Sequence, residues 1–517
     1  MTNNNLHFSE RKNYDSDFCG SIPLNFINLI QGHGVLLVLE PASYTIVQAS
    51  ENASAILGSA AAALVQQPLQ NYIGEKQLQT LSSELGRKDT GSNIPLTLQW
   101  QASGGSNVLS ATLHNRELYL LLELEPARQT SGSAFVSTYQ AISYTISSLK
   151  EATNLDEVSR VAVTELKKLS GFDRVMVYQF DDNWNGTVIA EAQEESMGES
   201  YLGLRFPASD VPKQARDLYF KTPFRIIPDI AAPTAKLYPV INPITSSLTD
   251  ISDCTLRAVP LVHIEYLQNM GVMASMSTPI IVNNKLWGLI SCHHRKAMPV
   301  GFELRTSFEI VSGIIASQIS NREKEDSFQY RSMLHEIELK LMEQVYTSKN
   351  LSDGLLENPA YLLELLGVNG LALVFNNEYL TAGEVPDVRM IRNLVKWLSR
   401  YSKDKIFTTD SLPAFFEEAT QYRDTASGLI ALQITGGKHY LLGFRPEVSK
   451  SVNWGGNPNE AIKFEANSKK YHPRNSFNLW REQVEFTSHP WRQEVVEVAQ
   501  HVRTAMLEKL LKEEEIY

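Results

Sequence analysis

The chain has 517 residues, of which 43% are hydrophobic, and this favours about three globular domains over a disordered protein. Its net charge of -11 at pH 7 argues against a general binder of nucleic-acid backbones. The polar N-terminus lacks the apolar core of a secretory signal, and no run of about 18 apolar residues predicts a membrane span. Three cysteines are too few for a disulfide framework, so we expect a cytoplasmic protein.

The first predicted domain follows a polar arm of residues 1–18. Two strands are expected around a turn at Glu40-Pro41, and two short helices are expected within residues 51–69. Three more strands follow in the stretches NIPLTLQW, NVLSATLHN and ELYLLLELEP. A small antiparallel sheet with short helices on one side is a PAS-like pattern.

The second predicted domain begins after a polar linker with two helices, the second of which ends at Gly171. Strands are expected on both sides of the hairpin Asp181–Gly186, and a later hairpin is expected to turn at Asn283-Asn284. Two helices, a sheet, long loops and a closing hairpin resemble a GAF domain.

A long helix is predicted over residues 307–346, which contain no proline and only one glycine, Gly313. Residues 350–450 repeat the pattern of helices and sheet, and residues 451–492 are rich in Trp, Gly and polar residues with little periodicity. A final helix is expected to run to the end of the chain. The last part of the chain therefore predicts a third domain with one long irregular segment.

Several short segments resemble, in order, the motifs of the phytochrome family, and in particular of the bacteriophytochromes. They are Cys19–Pro23, Ile30–Gly34, Arg205–Pro212, Leu256–Arg257, His263, Tyr266–Val272, Leu286–His294, Trp454–Gly456 and Pro473–Phe477. The resemblance implies an α+β fold with three domains, PAS at 19–127, GAF at 128–325 and PHY at 326–517, built from antiparallel sheets with flanking helices. It also implies an N-terminal figure-of-eight knot, a long connecting helix, and a tongue, the name used below for residues 451–492.

The resemblance further implies a red/far-red photoreceptor that binds biliverdin IX alpha through a thioether to Cys19. A cysteine thiolate can add to a vinyl group, although the residues alone leave Cys19 open as an incidental free cysteine. Other phytochromes attach their pigment at the residue before the pocket histidine, which here is Val262 and carries no nucleophile. This favours Cys19 and biliverdin, and we interpret Cys254 and Cys292 as structural.

Asp210 is open to two interpretations. Asp-Val-Pro before KQARDLYFK is typical of a helix N-cap with proline in the first turn. The family assigns Asp210 a contact with the pyrrole nitrogens through its backbone carbonyl, and a side-chain contact with the tongue. We expect both roles to hold at once, since a cap uses only part of a carboxylate.

Further pocket residues are predicted from spacing and from the family. His263 and Tyr266 share a helix face, and the pairs Ser275/Ser277 and Ser291/His293 each face one side of a strand. Without the resemblance they would be a core histidine and a polar surface stripe. The resemblance implies that they line the pigment pocket. It adds Tyr219, the aromatic cage Tyr178, Phe206 and Tyr266, and the propionate partners Arg225 and Arg257.

No metal site is expected. Cys292, His293 and His294 are adjacent on a strand, so neighbouring side chains point to opposite faces and make a poor set of ligands. The tongue residues to which the family assigns the switch are Arg474, Ser476 and Trp480, with Arg474 expected to pair with Asp210.

The sequence departs from the family at three places. Residues 23–29 lack the family's histidine and glycine, Pro260 stands where a propionate-binding side chain is common, and Trp480 stands where some relatives have tyrosine.

The mechanism implied by the resemblance is isomerisation of the bilin D ring, which changes the packing of the tongue. The expected partners are a second copy, in a parallel dimer through helices 307–346 and 493–517, and a histidine kinase output or a response regulator. No catalytic motif occurs in the chain, which is therefore expected to be truncated or to act through partners. The alternatives are a light-independent GAF/PAS sensor of a diffusible ligand, such as a cyclic nucleotide, and a dimerising scaffold without ligand.

Overall fold

The computed structural model describes residues 27–87, 93–102, 105–127, 132–375, 378–436, 439–460, 462–464 and 471–514. The described chain divides into two compact units. The first contains residues 27–320 and 453–480, and the second contains residues 321–452 and 481–514. The middle of the tongue thus belongs to the unit that holds the first two domains.

The first domain of the first unit contains the sheet and short helices that the sequence predicts. Its strands are β1 (Leu29–Gln31), β2 (Val35–Leu39), β3 (Ile46–Ser50), β4 (Asn93–Ala102), β5 (Gly105–Asn115) and β6 (Leu120–Pro126). Its helices are α1 (Ala53–Leu57), α2 (Ala61–Leu64) and α3 (Gln70–Leu85). The helices cover one face of the sheet over a core that includes Leu37, Trp100 and Leu122. The two expected short helices are confirmed, and α3 is an element that the sequence analysis did not predict.

The second domain has the expected order of helices, strands and closing hairpin. Its helices are α4 (Gly132–Glu151), α5 (Leu155–Ser170), α6 (Lys213–Leu218) and α7 (Leu261–Asn269). Its strands are β7 (Arg174–Phe180), β8 (Gly186–Gln193), β9 (Arg205–Phe206), β10 (Arg225–Ile227), β11 (Thr234–Tyr238), β12 (Ala274–Val282) and β13 (Lys285–His294). Helix α5 ends as predicted at Gly171, whose φ of 74° is the left-handed conformation that glycine adopts without strain.

The first two domains contribute two large sheets. The first has the antiparallel order β1-β11-β3-β2-β6-β5-β4, and the second contains the antiparallel run β10-β12-β13-β7-β8-β9, beyond which tongue strands continue the sheet. Strand β11 comes from the second domain and pairs with β1 and β3 of the first. Because these pairings cross the domain boundary, the first two domains share one sheet.

Strand β1 contacts two segments of the second domain. On one side it pairs with β11, and on the other Gln31 N donates to Leu256 O at 2.7 Å while Ala258 N donates to Leu29 O at 2.9 Å. Residues 29–31 therefore lie between strand β11 and the loop that connects β11 to α7. The expected knot also involves the arm, residues 1–18, which lies outside the described residues.

The long helix predicted between the domains is confirmed as α8 (Phe302–Thr347). The helices that follow are α9 (Leu351–Leu356), α10 (Ala360–Leu366), α11 (Val388–Tyr401), α12 (Arg423–Ala426) and α13 (Gln493–Glu514). The strands are β14 (Gly370–Phe375), β15 (Glu378–Gly383), β16 (Ile406–Thr409), β17 (Gly428–Thr435) and β18 (His439–Arg445), in the antiparallel order β15-β14-β18-β17-β16. This confirms the α+β fold of the third domain.

The tongue contains short strands that its irregular sequence did not predict. They are β19 (Lys450–Gly455), β20 (Ile462–Phe464), β21 (Tyr471–Pro473) and β22 (Leu479–Val484). Strands β20 and β21 pair with each other, and Trp454 pairs in parallel with Arg205 of β9.

Candidate cofactor-binding site

A cavity lies in the second domain between the sheet and α7. Its empty volume is about 680 Å³ when the open mouth is included. The centre of a water molecule can occupy about 110 Å³. Its walls combine apolar and aromatic side chains with a few polar groups, as cofactor pockets commonly do. The lining residues are Met176, Tyr178, Val188, Tyr201, Phe206, Asp210, Val211, Tyr219, His263, Tyr266, Leu267, Met270, Ser275, Ser277, Leu289, Ser291 and His293.

One wall is set by the hairpin of β12 and β13. Asn283 and Asn284 have φ of 49° and 61°, the left-handed pair that a two-residue hairpin turn requires. The resulting register pairs Ser275 with His293 and Ser277 with Ser291, so all four side chains lie on one face and line the cavity.

His293 is the buried polar group of this wall. Its side chain is 7% exposed, and its Nδ1 has no hydrogen-bond partner among the described residues. Burial, together with the positive charge of Arg174 and repulsion from His263 when that ring is protonated, lowers the pKa of His293 to about 3. A neutral imidazole with a free ring nitrogen can bind a carbonyl or an N–H group of a ligand.

Helix α7 supplies the second wall. Gly271, with φ of 69°, follows its C-terminus. The rings of His263 and Tyr266 stack with centroids 5.9 Å apart, and both line the cavity. Burial and the charge of Arg225 lower the pKa of His263 to about 4, so this histidine is neutral at pH 7.

Asp210 does not cap a helix, and this interpretation of its sequence was wrong. Helix α6 begins at Lys213 with Pro212 at its N-cap, so Asp210 lies too far upstream, in a short 3-10 turn of residues 208–210. Its Oδ2 instead accepts hydrogen bonds from Tyr266 Oη at 2.7 Å and from Arg474 Nη2. The carboxylate is therefore occupied by tertiary contacts alone.

Asp210 and Arg474 form a shielded ion pair, as the family resemblance led us to expect. The Asp210 side chain is 7% exposed and that of Arg474 is 3% exposed. Burial raises the pKa of the Asp210 carboxyl, against the opposing effects of the Arg474 charge and the Tyr266 hydroxyl. The Arg474 guanidinium also lies 4.9 Å from the ring centre of Phe477 and 5.3 Å from that of Phe206, which adds cation–π attraction.

Further contacts hold the tongue near Arg474. Asn269 Nδ2 donates to Arg474 O at 3.2 Å, and His472 Nδ1 lies 2.9 Å from a carboxylate oxygen of Glu265. Gly456 adopts φ of 94° and lies so close to Ser476 that a Cβ would sit 2.2 Å from its carbonyl oxygen.

The other two expected switch residues lie apart from Asp210. Ser476 is exposed, and its Oγ accepts from Asn478 N at 3.5 Å. Trp480 is half-buried.

Arg225 and Arg257 lie beside the cavity without lining it. Arg225 pairs in register with Ser277 and donates to the carbonyls of Thr255 and Ala258, while Arg257 donates to Ser252 O at 2.8 Å. Burial and the charge of Arg257 lower the pKa of Arg225 to about 9. Two buried, mutually repelling guanidiniums favour an anion between them, which suits the propionates of a tetrapyrrole.

The aromatic cage is larger than predicted. Tyr178 and Phe206 have ring centroids 6.1 Å apart, and Tyr201, which was not predicted, lies 5.7 Å from Phe206. Met176 was also missed, although it lies two residues before Tyr178 on β7 and strand periodicity alone would have placed it on the same face. No local pattern marked Tyr201, because it lies in a loop.

The residues Cys292, His293 and His294 point in different directions. Cys292 is buried in the apolar core and His294 Nδ1 lies 3.0 Å from Asp173, so the three do not converge on a metal site.

His114, Glu123 and Cys254 do converge, with ligand atoms within 4.8 Å of one another. The Glu123 oxygens, however, accept bonds from Thr255 and Leu256, and burial raises the pKa of the Cys254 thiol. A hydrogen-bonded carboxylate beside a protonated thiol is a poor metal site.

The donor set of the cavity fits a linear tetrapyrrole. Ring nitrogens and carbonyls can meet His263, the free nitrogen of His293 and the serines of β12 and β13, and the aromatic rings can pack against the pyrrole planes. Cys19, the predicted attachment site, lies outside the described residues.

Comparisons with known proteins agree with this architecture. Family models match a PAS fold at residues 19–127, a GAF domain at residues 154–322 and a phytochrome region at residues 334–515. Within the described residues, no helix is long and apolar enough to cross a membrane.

Two curated relatives cover nearly the whole chain. Cyanobacterial phytochrome A of Nostoc sp. is 38% identical over 511 residues, which are 98% of this chain and 66% of the relative. A bacteriophytochrome of Xanthomonas campestris pv. campestris is 30% identical over 498 residues, 95% of this chain and 78% of the relative. This chain therefore spans only part of each relative.

Two solved structures have the same fold over nearly their full lengths. The photosensory core module of the Stigmatella aurantiaca phytochrome matches with a TM-score of 0.83 and 35% identity, covering 96% of this chain and 98% of that one. The bacteriophytochrome RpBphP3 of R. palustris matches with a TM-score of 0.84 and 32% identity, covering 96% of this chain and 99% of that one.

Proposed function

This chain belongs to the phytochrome family, whose members are red/far-red photoreceptors, and we propose that it binds biliverdin IX alpha and reports red and far-red light. The observation that carries the proposal is the cavity of the second domain, which combines an aromatic cage with neutral His263 and His293. Two buried guanidiniums beside it supply charge for two propionates.

The bound bilin supplies light absorption and rotation of its D ring about a methine bridge. The protein orients the pigment through the aromatic cage and keeps its polar edges paired in a water-poor pocket. Asp210 joins this pocket to the tongue, because its side chain contacts Tyr266 of the cavity wall and Arg474 of the tongue. A changed contact at Tyr266 therefore reaches the tongue through one carboxylate, which suits a two-state element.

Attachment is proposed through a thioether formed by addition of the Cys19 thiolate to an A-ring vinyl group. The burial of Cys254 and Cys292 supports this choice, since both side chains are fully buried and burial raises the pKa of both thiols. Cys19→Ser should abolish the covalent band in a denaturing gel scanned for zinc-enhanced bilin fluorescence, and Cys254→Ser is the matched control that should keep it. A band that persists in Cys19→Ser would assign the attachment to another residue.

The light response is tested by colour. Co-expressed with a biliverdin supply, the chain should be green-blue, and its absorption spectrum should interconvert reversibly under red and far-red light. A bound pigment whose spectrum does not respond to light would overturn the photoreceptor function while leaving the cofactor assignment intact.

Signal output is proposed to pass through a parallel dimer and a histidine kinase or response regulator. Large exposed apolar side chains on α8, such as Phe328 at 71% and Leu339 at 57%, suit helix pairing between two copies. The proposed domains are an arm at 1–18, PAS at 19–127, GAF at 128–325 and PHY at 326–517.

A further inference from the structure

A second cavity lies on the other side of strand β12 from the bilin cavity. Its empty volume is about 1370 Å³ when the mouth is included. The centre of a water molecule can occupy about 570 Å³. Its walls come from β4 and β5 of the first domain, residues 219–224 and β12 of the second, and the first half of α8, all in one compact unit.

The alternation of side chains along β12 separates the two cavities. Ser277 faces the bilin cavity, and the next residue, Thr278, lines the second one. Thr278 is 1% exposed, and its hydroxyl has no hydrogen-bond partner in the part of the chain that the structure describes. A buried hydroxyl without a partner is unfavourable, so a ligand oxygen that accepts its proton would satisfy it.

The rest of the wall favours a neutral and mostly apolar ligand. Pro95, Phe224 and Ile281 supply apolar surface. The charged end of Lys221 is directed to Ser252 Oγ at 3.0 Å, and His114 is held between Asn93 and Glu123 at 2.7 and 2.6 Å.

The titratable group on the α8 wall is Glu309. Partial burial raises the pKa of its carboxyl, and the residue as a whole is exposed.

We propose that this cavity is a second small-molecule site, which takes a neutral, largely apolar molecule whose oxygen acceptor binds the Thr278 hydroxyl. Tyr219 lines both cavities, and its hydroxyl lies 2.6 Å from Ser277 Oγ. A ligand in the second site therefore contacts a residue of the bilin wall and tunes the pigment. That tuning rests on the proposed photoreceptor function, whereas binding at the second site does not.

Binding is tested with prodan, a neutral naphthalene ketone whose fluorescence reports an apolar environment. The full chain, loaded with bilin so that the first cavity is filled, is titrated in the dark. Gly313 lies on the cavity side of α8, and a Cβ there would meet no atom of the described residues within 4 Å. Gly313→Leu should thus fill the site and also favour the helix.

We expect saturable binding of one prodan per chain, weakened about tenfold or more in Gly313→Leu, since the side chain occupies the ligand volume. Ser317→Leu adds the same side chain one turn later, outside the cavity lining, and should bind as the wild type does. Thr278→Val keeps the shape and should weaken binding about three- to tenfold through the lost hydrogen bond. Prodan should also shift the bilin absorption band or its dark-reversion rate.

Absence of saturable binding, or equal affinity in the wild type and Gly313→Leu, would overturn the site. Normal binding with an unchanged bilin spectrum would overturn the tuning through Tyr219 and leave the site itself standing. If the chain does not take up bilin at all, prodan can also enter the first cavity, and the second site is decided by whether Gly313→Leu binds one prodan fewer than the wild type. Failure of the photoreceptor function is in this way separated from failure of the site.

Discussion

Strands β12 and β13 and the tongue face the same cavity region but are held by different forces. The two strands pair from Ala274 with His294 to Val282 with Lys285, with one bulge between Ile280 and Ile281. Residues on their far side, such as Met276 and Ile290, are buried in the domain core. Tongue residues 453–480 are instead held near the cavity by Trp454, the Arg474–Asp210 pair and a few hydrogen bonds.

This difference indicates which part can change. A long antiparallel ladder over an apolar core opens only with the whole domain, whereas a segment held by a few polar contacts can exchange one arrangement for another at a smaller free energy. The cavity wall is therefore the part suited to holding the proposed pigment in place, and the tongue is the part suited to switching.

The largest effect is expected for Arg474→Ala. Removal of one partner from a buried pair leaves Asp210 uncompensated, which costs about 3–5 kcal/mol. Amide exchange across the described tongue residues should rise about a hundred- to a thousandfold in the dark, while β12 and β13 keep their protection. Hydrogen-exchange mass spectrometry measures both regions in one experiment. Unchanged protection of the tongue would assign its anchoring to Trp454 packing instead.

Three further variants sharpen that result. Arg474→Lys should restore the protection only in part, because an ammonium lacks the planar fork of the guanidinium. Asp210→Asn should keep the red-light absorption band and fail to form a full far-red state. The double variant Asp210→Asn/Arg474→Ala should lose less stability than the two single variants lose together. Additive losses would mean that Asp210 and Arg474 do not act as a pair.

Gly456→Ala should have a smaller effect and destabilise the tongue by about 3 kcal/mol or less. The added Cβ meets both an unfavourable φ of 94° and the carbonyl oxygen of Ser476. Gly271→Ala after α7 is the control, since it shares the positive φ of 69° but meets no described atom within 4 Å. Susceptibility of the tongue to limited proteolysis should rise in Gly456→Ala alone, and equal susceptibility of the two variants would show that the close approach to Ser476 is unimportant.

The cavity wall, and not the tongue, should respond to acid through His293. Its pKa of about 3 lies below the unfolded value of about 6.5, so folding stability is lost as pH falls from 6.5 toward 3. Between pH 6.5 and 5 this amounts to about 2 kcal/mol, at about 1.4 kcal/mol per pH unit. Urea unfolding of the bilin-free wild type should show that the free energy of unfolding falls between pH 7 and pH 5. In His293→Gln this fall should be smaller by about 2 kcal/mol. An identical loss in the wild type and the variant would contradict the burial of a neutral imidazole.

The smallest effect is expected for Tyr219→Phe, which removes one hydroxyl from the wall. The lost hydrogen bond to Ser277 should cost about 1 kcal/mol or less, and tongue exchange should not change. Thermal unfolding measures the first and hydrogen exchange the second. A faster-exchanging tongue in this variant would show that wall and tongue are more tightly coupled than their contacts indicate.

Local patterns in the sequence determined most of the elements and much of the cavity. The Asn283-Asn284 turn, the end of α5 at Gly171 and the shared face of His263 and Tyr266 each depend on a few neighbouring residues, whose φ preferences and spacing are visible in the chain. The motifs added the family and the expected pairing of Arg474 with Asp210, which no periodicity would have suggested.

Other features of the protein could be found only in the tertiary structure, because there long-range contacts override the local conformational preferences of the residues. Asp210 looks like a helix cap in sequence, yet its carboxylate contacts Tyr266 and a guanidinium 264 residues away. Tyr201 enters the cage from a loop, and strand β11 joins the sheet of another domain. The second cavity is likewise assembled from segments of two domains and α8. Such arrangements depend on the packing of distant segments, and that packing leaves no periodic signal in the residues that form it.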